Sequence, residues 1–375
     1  MMKKKIRFIL SALLLFGGVG CSSDNTGTGD SNSTPLPDAE PTYAYVSMLK
    51  DKTFQDGFIV RGLGHSIYDD EIEMFDGESK GAMLNFTYEK TMNTTPAWML
   101  QQWATRYPFH DMENTVTEIK NGTETYNYRF TDKGDGRYVY DNQSKTVEVD
   151  TNTGEFMLNL RSSECYKYDR VKGQEWPHLL LSQNWGDTPD GRAQCALKNT
   201  ESLKIQLDCK MNYFEDKMQG EANTDIHSAV CMLYIFVSYK PETSATYTDM
   251  LWFGLTIFDN RTTFPAGMSG PDSGTKESET DKWIYNIPST RFFDLDNNLY
   301  NLDGSIKYGE WAHVEVDVYS DIIVALSDAQ RGGAMQGATL DDLYINGMYI
   351  GFETPGTYDL SMSFKNLDIL SYVET

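Results

Sequence analysis

Leu203-Lys-Ile-Gln-Leu-Asp-Cys-Lys-Met-Asn212 alternates apolar and polar side chains without a break. Successive side chains of a β-strand point to opposite faces. The run therefore puts Leu203, Ile205, Leu207, Cys209 and Met211 on one face and Lys204, Gln206, Asp208, Lys210 and Asn212 on the other. The same period of two recurs upstream. Ala82, Leu84, Phe86 and Tyr88 alternate with Met83, Asn85 and Thr87, and Tyr126, Tyr128 and Phe130 with Thr125, Asn127 and Arg129. Turn pairs separate such runs: Asn121-Gly122, Asp135-Gly136, Thr153-Gly154, Asp303-Gly304 and Asn346-Gly347. Residues 147–150 and 156–160, joined by Thr151-Asn-Thr-Gly154, read as a hairpin.

Two segments predict helices. Thr95-Pro96 supplies an N-cap and a proline at the first helical position, followed by a stripe of Met99, Leu100, Trp103 and Tyr107. Ser320 caps a helix over 321–331, with Ile322, Ile323, Leu326 and Ala329 on one face and Gly332 past its end. Many strands, few helices and no internal repeat predict an all-β fold, a β-sandwich or jelly roll with two short helices. Composition does not break after residue 43, so 43–375 reads as a single large domain. Residues 269–281 read as one long loop. Residues 358–370 read as a last strand region that closes the sandwich by pairing near Phe58.

The chain has 375 residues, 40% hydrophobic and 13% aromatic, enough to bury a large core and unlike a disordered polyelectrolyte. Its formal net charge is −23. Such a chain repels nucleic acid, whose binding rests on phosphate neutralisation by Lys and Arg. It also repels polyanionic glycans, so neutral polar partners are favoured. Cys165, Cys195, Cys209 and Cys231 allow three disulfide pairings, and none is selected by the sequence. No cysteine or histidine cluster has zinc spacing, and no cofactor is expected.

The chain opens with Lys3, Lys4, Lys5 and Arg7, an apolar run from Ile6 to Phe16, and Gly17-Gly-Val-Gly-Cys21. Residues 1–20 read as a secretory signal too short to span a membrane. The small residues before Cys21 resemble a bacterial lipobox, with Gly18 where that motif usually has Leu. The resemblance implies lipidation at Cys21 and a membrane contact through that anchor alone. Residues 21–42 are polar, Gly- and Pro-containing and unable to pack, and read as a flexible tether. Ser22-Ser-Asp24-Asn25 resembles the export signal of surface lipoproteins of the Bacteroidota. That implies an outer-membrane, lipid-anchored protein facing the cell exterior.

Three strand-like stretches carry an aromatic and polar face. In Trp176-Pro-His-Leu-Leu-Leu-Ser-Gln-Asn184, Leu179 and Leu181 oppose Trp176, His178, Ser182 and Asn184, with Leu180 among the latter. In Leu251–Arg261, Trp252, Gly254, Thr256 and Asn260 oppose Phe253, Leu255 and Ile257. In Trp311–Tyr319, Trp311, His313, Glu315, Asp317 and Tyr319 oppose Val314, Val316 and Val318. If the three faces share one sheet they form a groove suited to sugar rings, whose C–H faces pack on aromatic planes and whose hydroxyls meet charged groups. With the lipoprotein address, the chain resembles Bacteroidota surface lipoproteins of polysaccharide-utilisation systems with a concanavalin A-like, jelly-roll body. That implies capture of a polysaccharide or oligosaccharide in a non-catalytic groove.

The alternative is a glycoside hydrolase or polysaccharide lyase using Glu315 and Asp317, or His178, in the same groove. Glycosidases need two carboxylates flanking the bond. The laminarinase-like pattern Glu-x-Asp-x-x-Glu is broken here, since Glu315-Val-Asp317-Val-Tyr-Ser320 lacks the third acid. A lyase set would draw on His178, Asn184, Arg261 and Tyr285, but alginate-lyase signatures are absent and Asp225-Ile-His227 is a partial echo. Gly64-His-Ser-Ile-Tyr68 lacks the second glycine of a nucleophile elbow. A third reading is a structural or adhesive lipoprotein with no sugar ligand. Asp294-Leu-Asp296-Asn-Asn298 is the oxygen-rich loop where a structural calcium would sit, although it is not an EF-hand.

Overall fold

The computed structural model describes residues 42–60, 96–105, 107, 109, 129–166, 168–186, 188–240, 249–272 and 282–375, and the backbone of 61, 84–86, 117–120 and 123–126. Residues 1–41, with the expected signal segment, Cys21 and most of the expected tether, and the Gly64–Tyr68 run lie outside the described residues. So do Ala82, Met83, Thr87, Tyr88, Asn121-Gly122, Asn127 and Tyr128. Residues Pro41–Thr375 form one compact unit.

Two sheets are stacked face to face, the all-β jelly-roll sandwich that the alternating sequence predicts. The first sheet runs in the order β17 (Ala312–Asp317), β12 (Thr200–Asp216), β19 (Tyr358–Glu374), β10 (Phe156–Arg161), β9 (Lys145–Asp150), β8 (Arg137–Asp141) and β7 (Arg129–Gly134). β1 (Tyr43–Ser47) pairs with the far end of β19. The second sheet runs β15 (Met268–Pro271), β16 (Trp283–Ile287), β14 (Asp249–Asp259), β13 (Val230–Tyr239), β18 (Leu343–Glu353), β11 (His178–Asn184), β4 (Trp98–Gln101), β2 (Phe58–Arg61) and β3 (Leu84–Phe86). A separate hairpin joins β5 (Thr117–Lys120) to β6 (Thr123–Tyr126). The α-helices among the described residues are α1 (Pro189–Gln194) and α2 (Tyr319–Arg331).

The core lies between the sheets and is built by the alternation. Leu203, Ile205, Leu207, Cys209 and Met211 of β12 are all fully buried against Leu179 and Leu181 of β11 and Phe253, Leu255 and Ile257 of β14. Each such side chain contributes roughly 1.5–3 kcal/mol by leaving water. The predicted hairpin of β9 and β10 is present, and Gly154 at φ +74° makes its turn. Cys165, Cys195, Cys209 and Cys231 are free thiols.

Four expectations are corrected. Residues 98–101 are a strand, not a helix. The short apolar run Trp98-Met-Leu is compatible with either, and pairing to β11 and β2 on both sides decides it. The second helix is instead α1, capped by Thr188, whose Oγ1 accepts from the Gly191 amide at 3.0 Å. α2 begins at Tyr319, one residue before the expected Ser320 cap. The Asp317 carboxylate accepts the Tyr319 amide at 3.0 Å and supplies the missing partner, and Ile323 faces solvent. The C-terminal strand does pair with an early one, but with β1, because Phe58 belongs to the other sheet. Within the expected 269–281 loop, Ser269 to Pro271 belong to edge strand β15, which pairs with β16, and residues 273–281 lie outside the described set.

Candidate functional site

The second sheet carries a second apolar cluster on the face turned away from the core. Leu180, Val230, Met232, Tyr234 and Tyr349 form it, with Phe236, Trp252 and Ile284 packed against them. Strand register creates the cluster. Tyr234 lies between Gly254 of β14 and Tyr349 of β18, and Trp252 lies beside Ile284 of β16. Gly254 is required here, since a Cβ at that position would collide with Tyr234 and Asn286. A depression of about 320 Å³ opens over this surface, walled by Trp176, Trp252, Asn286, Asp272, Arg261 and Glu353.

Glu353, which the sequence reading did not single out, sits at the wall of that depression. Its carboxylate accepts from Trp176 Nε1 at 3.2 Å and from the Tyr349 hydroxyl at 3.3 Å, with His178 Nε2 at 3.5 Å. The β11–β18 register places His178 directly opposite Glu353. Burial works to raise the Glu353 carboxyl, but the His178 charge and the bonds from His178, Trp176 and Tyr349 outweigh it and hold it below its ordinary value. Burial first, and Glu353 second, push the Tyr349 hydroxyl well up, so it stays a neutral donor. His178 packs against Trp176 at 5.8 Å and edge-on to Trp103 at 5.6 Å, while its Nδ1 is buried with no hydrogen-bond partner among the described residues. The Arg170 guanidinium lies 5.0 Å from the Trp176 ring. Trp252 borders the depression, its indole N–H buried and without an acceptor among the described residues.

The structure divides the residues expected to form one groove. Trp176, His178 and Trp252 share the outer face of the second sheet. Asn184 is on the same strand as His178 but six residues on, about 20 Å along an extended chain, opposite Gly347. Trp311, His313, Glu315 and Asp317 lie on or beside β17, at the edge of the first sheet, facing the opposite way. The reason is the pairing of β17 with β12, which turns Val314 and Val316 into the core and the polar set outward. There, Lys210 and Lys365 lie 4.4 and 4.2 Å from the Trp311 ring. His313 Nδ1 is 2.7 Å from Asp208, Glu315 pairs with Lys204 at 3.3 Å, and Asp317 accepts from Ser202. Tyr319 opens α2 and packs partly against the core. As catalysts in a groove with His178, Glu315 and Asp317 are therefore misplaced by a whole sheet.

In the Asp294–Asn298 loop, Asn297 Oδ1 accepts from the His313 amide and Asn298 Oδ1 from the Tyr300 amide, each at 2.7 Å. Asp294 accepts from the Asp296 and Asn297 amides at 2.9 and 2.8 Å, and Asn298 bonds back to Asp294. Among the described residues no group of three or more His, Cys, Asp or Glu side chains is arranged to hold a metal ion.

No protein family model matches the chain, and no curated protein matches it. Among solved structures it is similar to the endoglucanase cel12A from Rhodothermus marinus, at 11% identity and a TM-score of 0.34 over 67% of this chain and 98% of that one. A family 12 xyloglucanase from Bacillus licheniformis gives 10% identity and a TM-score of 0.35 over 64% of this chain and 95% of that one. A loop-swap mutant of Necallimastix patriciarum Xyn11A gives 9% and 0.30 over 68% and 98%. These likenesses assign no residue and no reaction to this chain.

Proposed function

We propose that this is a surface-displayed lipoprotein that captures a neutral polysaccharide on the outer face of its second sheet. The observation that carries the reading is Trp252. Its ring borders the depression beside the apolar cluster of Tyr234, Tyr349 and Ile284. Trp252 is half-buried, so part of its aromatic surface stays open to stack on the C–H face of a sugar ring. Tyr234, Tyr349 and Met232 give an apolar floor for the C–H face of a ring, and Asn286, Thr256 and Arg261 give hydrogen-bonding groups around it. The acidic chain disfavours a uronate ligand.

Capture is favoured over cleavage by how the acids are used. A glycosidase needs one carboxyl kept protonated as acid and a second as nucleophile or base. Glu353 is held ionised by its three donors, and Asp259 is clamped by Arg261 at 2.8 and 2.6 Å. The one specific observation for hydrolysis is that Glu353, an ionised carboxylate in the depression wall, has the charge state of a nucleophile. Affinity electrophoresis of the full chain in gels of β-glucan, xyloglucan, xylan and mannan, with a reducing-end assay on each, tests both readings. We expect retardation by at least one polymer, no new reducing ends, and affinity lowered about tenfold or more in Trp252→Ala. No retardation in any gel leaves a structural or adhesive lipoprotein. Turnover that stops in Glu353→Gln replaces capture by hydrolysis. Display through Cys21 is checked by fatty-acid labelling, which Cys21→Ala should abolish, and by protease accessibility on intact cells.

A further inference from the structure

Arg261 walls one side of the depression on the second sheet. A second hollow of about 660 Å³ opens next to it, floored by Phe214, Phe258 and Tyr300 and rimmed by Tyr308. Arg261 and Thr262 line both hollows. We propose that the two are halves of one cleft, whose ligand is a polymer segment running from Trp252 over Arg261 to Tyr308 rather than a mono- or disaccharide. The proposal rests on the carbohydrate reading and deepens it.

The shared wall is built to keep its shape. Arg261 donates from Nε and Nη2 to the two oxygens of Asp259 at 2.8 and 2.6 Å, its amide donates to Asp259 Oδ1 at 2.9 Å, and Nη1 donates to the Thr224 carbonyl at 3.2 Å. The Tyr300 hydroxyl donates to the Asp259 and Thr262 carbonyls at 3.2 and 3.4 Å, tying the turn to the floor of the second hollow. The Arg261 side chain is still 38% exposed. A ligand crossing it meets a fixed, planar donor, and binding loses little side-chain entropy there.

The second hollow is also aromatic, with a floor that belongs to the core cluster between the sheets, where the first is floored by the outer-face cluster. Phe258 stacks on Tyr300 with centroids 6.2 Å apart, and Phe214 packs on Phe258 at 5.5 Å, making an aromatic floor under Thr263 and Ser305. Tyr308 stands 52% exposed, its hydroxyl donating to the Phe214 carbonyl at 3.3 Å. Its ring is thus oriented by its far end and keeps much of its surface for contact. Either hollow alone has the size of a site for one small ligand. Joined, they make affinity depend on ligand length.

Calorimetry on the full chain with β-1,4-linked gluco-, xylo- and manno-oligosaccharides, from disaccharide to hexasaccharide, reads this directly. The affinity for the preferred series should rise about tenfold or more with length. Tyr308→Ala should lower hexasaccharide affinity about fivefold and leave the shortest ligand unchanged. Thr262→Tyr, which narrows the passage between the hollows without touching either floor, should flatten the length dependence. Trp252→Ala should weaken every length. Equal affinity for short and long ligands, or wild-type hexasaccharide binding in both Tyr308→Ala and Thr262→Tyr, overturns the continuous cleft and leaves the carbohydrate reading standing. Failure of the wild-type chain to bind any oligosaccharide or polysaccharide overturns both.

Discussion

Lys145 offers a prediction whose magnitude follows from its surroundings. Its side chain is fully buried, with Nζ donating to Thr105 Oγ1 at 2.7 Å, to Ser144 Oγ at 3.0 Å and to the Tyr107 carbonyl, and lying 5.5 Å from the Phe109 ring. Burial pulls its pKa down from 10.5 to about 7, with Cys165 opposing and Arg161 adding to the shift. Between those two values the unfolded chain holds a proton that the folded protein has released. More protons bound by the unfolded state means that stability rises with pH, the reverse of a lysine stabilised by an ion pair. The full slope is about 1.4 kcal/mol per pH unit, half that at pH 7, or roughly 2 kcal/mol between pH 7 and pH 9. Well below pH 7 lysine is charged in both states and contributes no slope. Lys145→Met keeps an apolar stem and removes the titration. Urea unfolding of both proteins at pH 6, 7, 8 and 9, followed by tryptophan fluorescence, should give a wild-type advantage that is constant below pH 7 and grows above it. A difference that stays flat from pH 6 to pH 9, or shrinks, refutes a neutral buried lysine above pH 7.

Other outcomes follow from the outer face of the second sheet. Gly254→Ala forces a methyl against Tyr234 and Asn286. It should cost about 1–3 kcal/mol in unfolding experiments and weaken polysaccharide retardation, and wild-type behaviour in both would mean the sheet yields there. Trp311→Ala and Glu315→Gln alter the first sheet, so neither should change retardation in polysaccharide gels. A loss as large as that of Trp252→Ala would move the site to the other side of the sandwich.

The alternation at Leu203–Met211 was enough to specify strands and their buried faces, because side-chain direction in a strand is a local property with period two. It also predicted correctly that Leu179 and Leu181 face the core while His178 and Leu180 do not. Local information failed at Trp98–Gln101, where a short apolar run fits a helix stripe and a buried strand equally well and only pairing on both sides separates them. It failed more consequentially at the site. Trp252 and Trp311 look alike in sequence, each alternating with a run of core residues. They face opposite ways because β14 pairs with β13 and β16 while β17 pairs with β12, more than a hundred residues earlier. Glu353 left one trace in the sequence, its place on the same strand face as Tyr349. What made it the partner of His178 was the register of β18 on β11. Strand faces are set by neighbours along the chain, whereas the meeting of faces is set by hydrogen-bonding partners from distant segments. The sequence alone therefore determined a two-faced, acidic β-sandwich, and tertiary pairing decided which aromatic and charged residues share a surface.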